Sequence, residues 1–391
     1  MASSNNIAIG SSALDALTTG TPNLAIGRNA LGAVTTGIYN LGVGHSAGAA
    51  ISTGNYNIIV GPDAGLAIST GASNVLMGYY AGNAITTATQ NVLLGHASGD
   101  LITTGATNVG VGGNTLGNTT TASNNTAVGY AAMVANTTGA TNTAVGANAL
   151  DACTTGSDNV ALGSNALGAL TTAGSNIAIG SSAGLNTTTG DSNTTVGGGA
   201  FTANSTGAQN VAIGYTALAA NTTASNNIAV GSTALNDNTT GANNIGIGYG
   251  ALAVNTTGAN NVALGHTALD ANTTADNNTA LGYDALGANT TGTSNAAVGA
   301  YCLDANTTAS GNTGVGYGVL STTVTGAQNT AIGYAALNQA VEDNNTAVVY
   351  AAMQNCSTGE YNVAVGHAAL DAVLTADFNV AVGVSALSTA T

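Results

Sequence analysis

Asn210-Val211-Ala212-Ile213-Gly214 decides how this chain is read. The five residues are an Asn, a Thr or branched aliphatic, a small residue, an apolar residue and a Gly, and the pattern returns every seventeen residues. Its leading Asn runs from Asn6 to Asn329 without a break in register, then, after one interval of sixteen, stands at Asn345, Asn362 and Asn379, which makes twenty-three copies. A repeat this regular predicts one architecture along the whole chain, because each copy contacts mainly its own neighbours.

Counted from the Asn as position zero, position one is Ile, Leu, Val or Thr apart from Ala296, and position three is Val, Ile, Leu or Met. Position two is mostly Ala or Gly. Period-two alternation marks a β-strand with positions one and three on one face. As the bulkier pair, these two are expected to face the core. The Ala and Gly of position two then form a smooth strip, either approached by the backbone of another chain or covered by a second interior layer. Position four is Gly in every copy except Val349, as expected where the chain bends, takes a positive φ or is approached by another backbone.

A second apolar column lies at position eight and shows compensation. Gly48, Gly65, Gly82 and Gly99 are followed three residues later by Ile51, Ile68, Ile85 and Ile102, whereas bulky residues such as Phe201 and Leu218 are followed by Asn204 and Asn221. Volume removed at one site and restored at another implies a shared, close-packed interior. The repeat closes on Thr-Thr-Gly or Thr-Thr-Ala, as at Thr256-Thr257-Gly258.

Seventeen residues are too few for a helical pair or a propeller blade. They fit one coil of an all-β, parallel β-solenoid, or β-roll, of about twenty-three coils. The expected body is a single domain over residues 1–391, an elongated rod on the order of 110 Å long at ~4.8 Å per coil. Like residues then form ladders, with Asn210, Asn227 and Asn244 bonded through their amides and Gly214, Gly231 and Gly248 stacked at a bend. The coil beginning at Asn329 is one residue short and carries Glu342 and Asp343 where its neighbours have neutral residues, so an irregular coil is expected over about 329–350. From Asn57 to Gly95, Ile59, Leu76 and Leu93 replace the small residue of position two.

Composition narrows function by exclusion. Charged residues are 4% of the chain, so Asn, Thr, Ser and Gly must supply the wetted surface, and apolar residues at 44% in fixed columns argue against disorder. Sixteen acidic residues against Arg28 as the sole Lys or Arg give a net charge of -15, which repels phosphate backbones and excludes nucleic acid as an expected partner. The opening MASSNNIAIG lacks the basic start and apolar run of a secretory signal, and no eighteen apolar residues run together, so no membrane insertion is expected. Cys153, Cys302 and Cys356 occupy columns of small residues and read as fillers.

No nucleophile elbow, zinc-binding helix, phosphate loop or dinucleotide fingerprint stands in the context it needs, so the chain reads as a non-enzyme without cofactor. His45, His96, His266, His367 and Arg28 share position five with eight Tyr residues. His45 and His96 are three coils apart, about 14 Å, too far to share a metal within one chain. The position-five rings are expected at a corner with their polar tips wet. Tyr317, Tyr334 and Tyr350, in consecutive coils, are the candidate stacking ladder for a cell-surface glycan. Asp15, Asp100, Asp151, Asp270, Asp304 and Asp371 at position nine read as solvated charges. The many Asn-Thr-Thr triplets match a glycosylation sequon and read as turn chemistry.

The run Asn125-Thr126-Ala127-Val128-Gly129-Tyr130-Ala131-Ala132-Met133, closing with Asn136-Thr137-Thr138-Gly139, resembles repeats of phage tail-fibre and other virion structural proteins. Asn6-Ile7-Ala8-Ile9-Gly10 is similar to the head repeat of trimeric autotransporter adhesins of the YadA type. For that family the resemblance implies a left-handed parallel β-roll, three chains side by side, and attachment to surfaces. The coil here is longer, and the secretion signal, stalk and anchor of the family are not seen. The expectation therefore moves to a self-assembling fibre of a virion or extracellular appendage, associating side by side as a trimer, head to tail, or both, with attachment as a further role. The alternative function is an ice-binding solenoid, since stacked Thr columns present regular hydroxyls and methyls. Adjacent Thr such as Thr239 and Thr240 point to opposite sides of a strand, which weakens it.

Overall fold

A computed structural model of the chain describes residues 4–339, 342–371 and 375–388. It is an all-β parallel β-solenoid of about 22 turns with the expected spacing of 17 residues, and the described residues contain no helix. The chain divides into two compact units, residues 1–195 and 196–391. In the first unit the three-residue strands run from β1 (Ile7–Ile9) to β11 (Ile177–Ile179), each parallel to the next and paired residue for residue seventeen positions on, as Ala8 with Ala25 and Ala161 with Ala178. In the second unit the same holds from β13 (Val211–Ile213) to β23 (Val380–Val382), with Ala212 beside Ala229, except that Thr330 pairs with Thr346, sixteen positions on. Between them in sequence, β12 (Thr194–Val196) carries the division.

Each strand stops after three residues because the Gly of position four leaves the β region. Gly214, Gly231 and Gly248 have φ of 136°, 138° and 136°. A Cβ on Gly214 would lie 2.3 Å from the carbonyl oxygen of Gly231 one coil on. Neither the backbone angle nor the space admits a side chain. Three further columns turn with positive φ, at positions six, eight and sixteen, as in Thr216, Leu218 and Asn226. A left-handed Leu costs about 1–2 kcal/mol. Leu218 is fully buried, and burying such a side chain contributes about 1.5–3 kcal/mol, enough to hold the turn that aims it inward.

The strand faces are the reverse of the expected ones. Position two is the interior: Ala25, Ala127, Ala212 and Ala297 are fully buried, while positions one and three look outward, with Ile177 and Ile179 each 40% exposed. The alternation was legible and its phase was not. The reason is volume: the lumen is already filled by Ala at position seven, Leu at position eight and two Asn columns, which leaves room beneath the strand only for Ala or Gly.

The compensation between positions eight and eleven is direct and has a third member. A Cβ on Gly65 would stand 2.8 Å from both Ile68 Cδ1 and Leu76 Cδ1, and one on Gly99 would stand 2.8 Å from Ile102 Cδ1 and Leu93 Cδ1. Ile59, Leu76 and Leu93 therefore point into the lumen and occupy space that Leu takes elsewhere, rather than loading an outer face.

The Asn column of position zero forms a ladder. Asn227 N–H donates to Asn210 Oδ1 and Asn244 N–H to Asn227 Oδ1, both at 2.9 Å. Each amide Nδ2 meanwhile donates to the carbonyl of position fourteen, Asn227 to Gly241 at 2.9 Å and Asn244 to Gly258 at 2.8 Å, which ties the end of each coil to its start. A second Asn ladder, not anticipated, runs at position eleven, where Asn221, Asn238, Asn255, Asn272, Asn289 and Asn306 each donate to the Asn one coil earlier. These Asn residues begin the Asn-Thr-Thr triplets and are fully buried, so the triplets are structural in the folded chain. The short coil at Asn329 keeps both ties: Asn329 Nδ2 reaches Glu342 O at 2.9 Å and Asn345 N–H reaches Asn329 Oδ1 at 2.8 Å. The strands on either side stay paired residue for residue, Thr330 with Thr346 and Ile332 with Val348.

Candidate interaction surfaces

With positions one and three outward, each unit carries two adjacent columns of Ile, Leu, Val and Thr along its sheet, with Met77 and Ala296 the only other types and no charge in any copy. Position three is the more exposed, as for Ile213 at 38% and Leu264 at 42%, and position one is mostly half-buried. Each coil then shows roughly 100 Å² of side chain, and the eleven strands of either unit on the order of 1,000 Å². That is larger than the several hundred Å² of apolar patch usual on a monomer. It is comparable with the ~800 Å² per partner of a standard interface. Sequence reasoning placed these columns in the core because bulky apolar residues usually go there. The contrary signal was the small residue that stands between them in most copies.

The position-five rings form the second surface. Tyr317, Tyr334 and Tyr350 are exposed and stack with centroids 5.6 and 5.3 Å apart and planes within 9° and 8° of parallel, and His367 continues the stack at 5.1 Å and 4°. In the other direction Tyr301 meets Tyr317 and Tyr283 edge-on at 5.7 and 5.2 Å, and His266 and Tyr249 follow at 5.5 and 5.1 Å. Tyr301 stands at position six, because its coil has Ala300 at position five. Its ring fills the gap, so eight consecutive coils of the second unit each place one ring in the column. A sugar packs on a ring face. Between Tyr317 and His367 those faces are turned on one another, and the column shows solvent its edges and phenol hydroxyls.

At the end of the repeat, Thr239 Oγ1 donates to Thr256 O at 2.9 Å and the residue is half-buried, while Thr240 beside it is exposed. The pair thus presents one free hydroxyl column where an ice-binding face needs two. Asp at position nine is not freely solvated: Asp100, Asp151, Asp270 and Asp304 are half-buried, and burial raises the pKa of each against opposing hydrogen bonds from its own and the following backbone N–H. Cys153, Cys302 and Cys356 are buried free thiols, and burial pushes Cys153 up to about 11 and Cys302 to about 12, so neither is a nucleophile at neutral pH. Among the described residues no three His, Cys, Asp or Glu come together as a metal site. No model of a known protein family matches this sequence, and comparison with curated proteins gives no match.

Proposed function

We propose that this protein is a structural, self-assembling component of a fibre, of the virion or extracellular-appendage kind, in which copies associate side by side through the outer faces of their sheets. The observation that carries the proposal is the uncharged two-column strip of positions one and three. Water contact with so much contiguous apolar surface is unfavourable, and covering it supplies the driving force. The occupant is a second copy because the strip repeats once per coil: a partner with the same rise matches every ridge along its length, and any other surface falls out of register within a few coils. A homotrimer closed about this strip hides it completely, which fits the adhesin resemblance. The hydroxyl edge of Tyr317, Tyr334 and Tyr350 is then left outward as the surface for attachment to a glycan. The single exposed Thr column favours this reading over ice binding.

Sedimentation of the full chain tests it. The wild type is expected to sediment as an oligomer at micromolar concentration. Replacing Met77, Leu162 and Leu264 together by Glu, which puts charge on the exposed position three of both units, is expected to give a monomer with an unchanged circular dichroism spectrum. A wild-type monomer at 100 µM overturns the proposal.

A further inference from the structure

Arg28, the chain's one Lys or Arg, stands in the wall of a cavity of about 330 Å³ in the first unit. Ser11 and His45 flank it from position five of the coils on either side, and Ser12, Asn29 and Ser46 line it from position six of the same three coils. The backbone beneath is held by the coil-to-coil ladder: Asn29 N–H donates to Ser11 O at 2.8 Å and Ser46 N–H to Arg28 O at 2.9 Å. Arg28 Nη2 contacts His45 Nε2, and His45 Nδ1 lies 3.3 Å from Asp63 Oδ1. A guanidinium only donates, so Nε2 accepts and the ring hydrogen sits on Nδ1, directed at Asp63. Asp63 therefore meets Arg28 only through the imidazole, and the guanidinium is not capped by a carboxylate. Among the described residues the other N–H groups of Arg28 and the hydroxyls of Ser11, Ser12 and Ser46 have no hydrogen-bond partner in the protein, although Ser46 is only 7% exposed.

We infer that this cavity binds a monoanionic oxyanion carried on a sugar, either the carboxylate of an acidic monosaccharide or a sulfate ester. The guanidinium fork matches such a group through two parallel N–H donors. One fixed cation balances one negative charge, whereas a phosphate dianion would bring a second, unpaired charge to a chain already at -15. The serine hydroxyls and the Asn29 amide suit the neighbouring hydroxyls of the sugar. The volume, at the small end of ligand pockets, has room for one monosaccharide.

Titration calorimetry of the full chain at low ionic strength, with glucuronate, glucose 6-sulfate, glucose and inorganic sulfate, tests the inference. Wild type is expected to bind glucuronate or the sulfated sugar at least tenfold more tightly than glucose or free sulfate. Arg28→Gln is expected to lose at least tenfold in affinity with an unchanged melting curve, since Arg28 is exposed. Equal binding of glucose, equal binding of free sulfate, or undiminished binding by Arg28→Gln each overturns it. The site lies off the apolar strip, so the triple Glu variant is expected to keep its glucuronate affinity. That separates failure here from failure of the assembly proposal.

Discussion

Asn210 and Asn227 are one coil apart, and the side-chain oxygen of the first accepts the backbone N–H of the second at 2.9 Å. A buried amide thereby replaces the strand-to-strand bond that the backbone cannot make at the entrance to each strand, and its Nδ2 closes the coil at position fourteen. Asn227→Ala removes both functions: Asn244 N–H loses its acceptor, while Gly241 C=O keeps the amide of Asn238 at 2.9 Å. At about 1–3 kcal/mol for a buried group left unsatisfied, the expected loss is about 1–3 kcal/mol. Asn227→Asp should lose more, because a buried carboxylate faces the Gly241 carbonyl. Denaturant titration of the two variants checks both the size and the order.

Strand phase gives a sharper contrast. Ala212 is fully buried and its neighbour Ile213 is 38% exposed. Ala212→Asp places an unpaired charge in the lumen and should cost at least 3–5 kcal/mol. Ile213→Asp meets solvent in the separate chain and should cost less than about 1 kcal/mol, acting instead on self-association. Melting curves at a concentration where the chain is dissociated distinguish them, and equal losses would be inconsistent with the faces described.

These residues also mark what the sequence could and could not reveal. Coil length, the Asn ladder at Asn210, Asn227 and Asn244, the Gly column and the exchange of volume between Gly65 and Ile68 are written in single columns, and a column needs only a period to be read. The phase of Val211-Ala212-Ile213 depends on lumen width, which is set jointly by Leu218, Asn221 and Ala217 from elsewhere in the coil. Bulk alone suggested the wrong side, because the bulky pair covers an outer surface. The aromatic column was half legible. Position five exposed its members, but the entry of Tyr301 from position six needed three-dimensional placement.

Acid is expected to stabilise this chain. Burial raises the carboxyl pKa of Asp100, Asp151, Asp270 and Asp304, and Asp284 adds to the shift at Asp270 and Asp304. A carboxyl with a raised folded pKa takes up a proton on folding. Its contribution is present in full below the unfolded value near 3.9 and is lost as pH rises through the folded value. The melting temperature should therefore rise as the pH is lowered from about 7.5 to about 5. The joint replacement Asp270→Asn and Asp304→Asn should flatten that slope. A melting temperature that falls over this range would contradict the assignment.

Val349 is the one copy of position four that is not Gly, and its φ is 93°. A β-branched residue there is strained by about 1–3 kcal/mol. Its N–H still donates to Ile332 O at 2.7 Å, so the ladder holds it in the conformation its neighbours adopt with Gly. The lumen does not compensate, since Val349 is exposed. Val349→Gly should therefore stabilise the second unit by about 1 kcal/mol after the added chain entropy of Gly is subtracted. The gain should appear as slower amide exchange at Ile332, Val349 and Gly366, the rungs nearest the site. The reverse change, Gly214→Val, should destabilise by more, because its Cβ would meet the Gly231 carbonyl at 2.3 Å in a coil of full length with no slack to move. Opposite signs for the two substitutions are the expected result, and a destabilising Val349→Gly would mean that the short coil has relaxed around its valine.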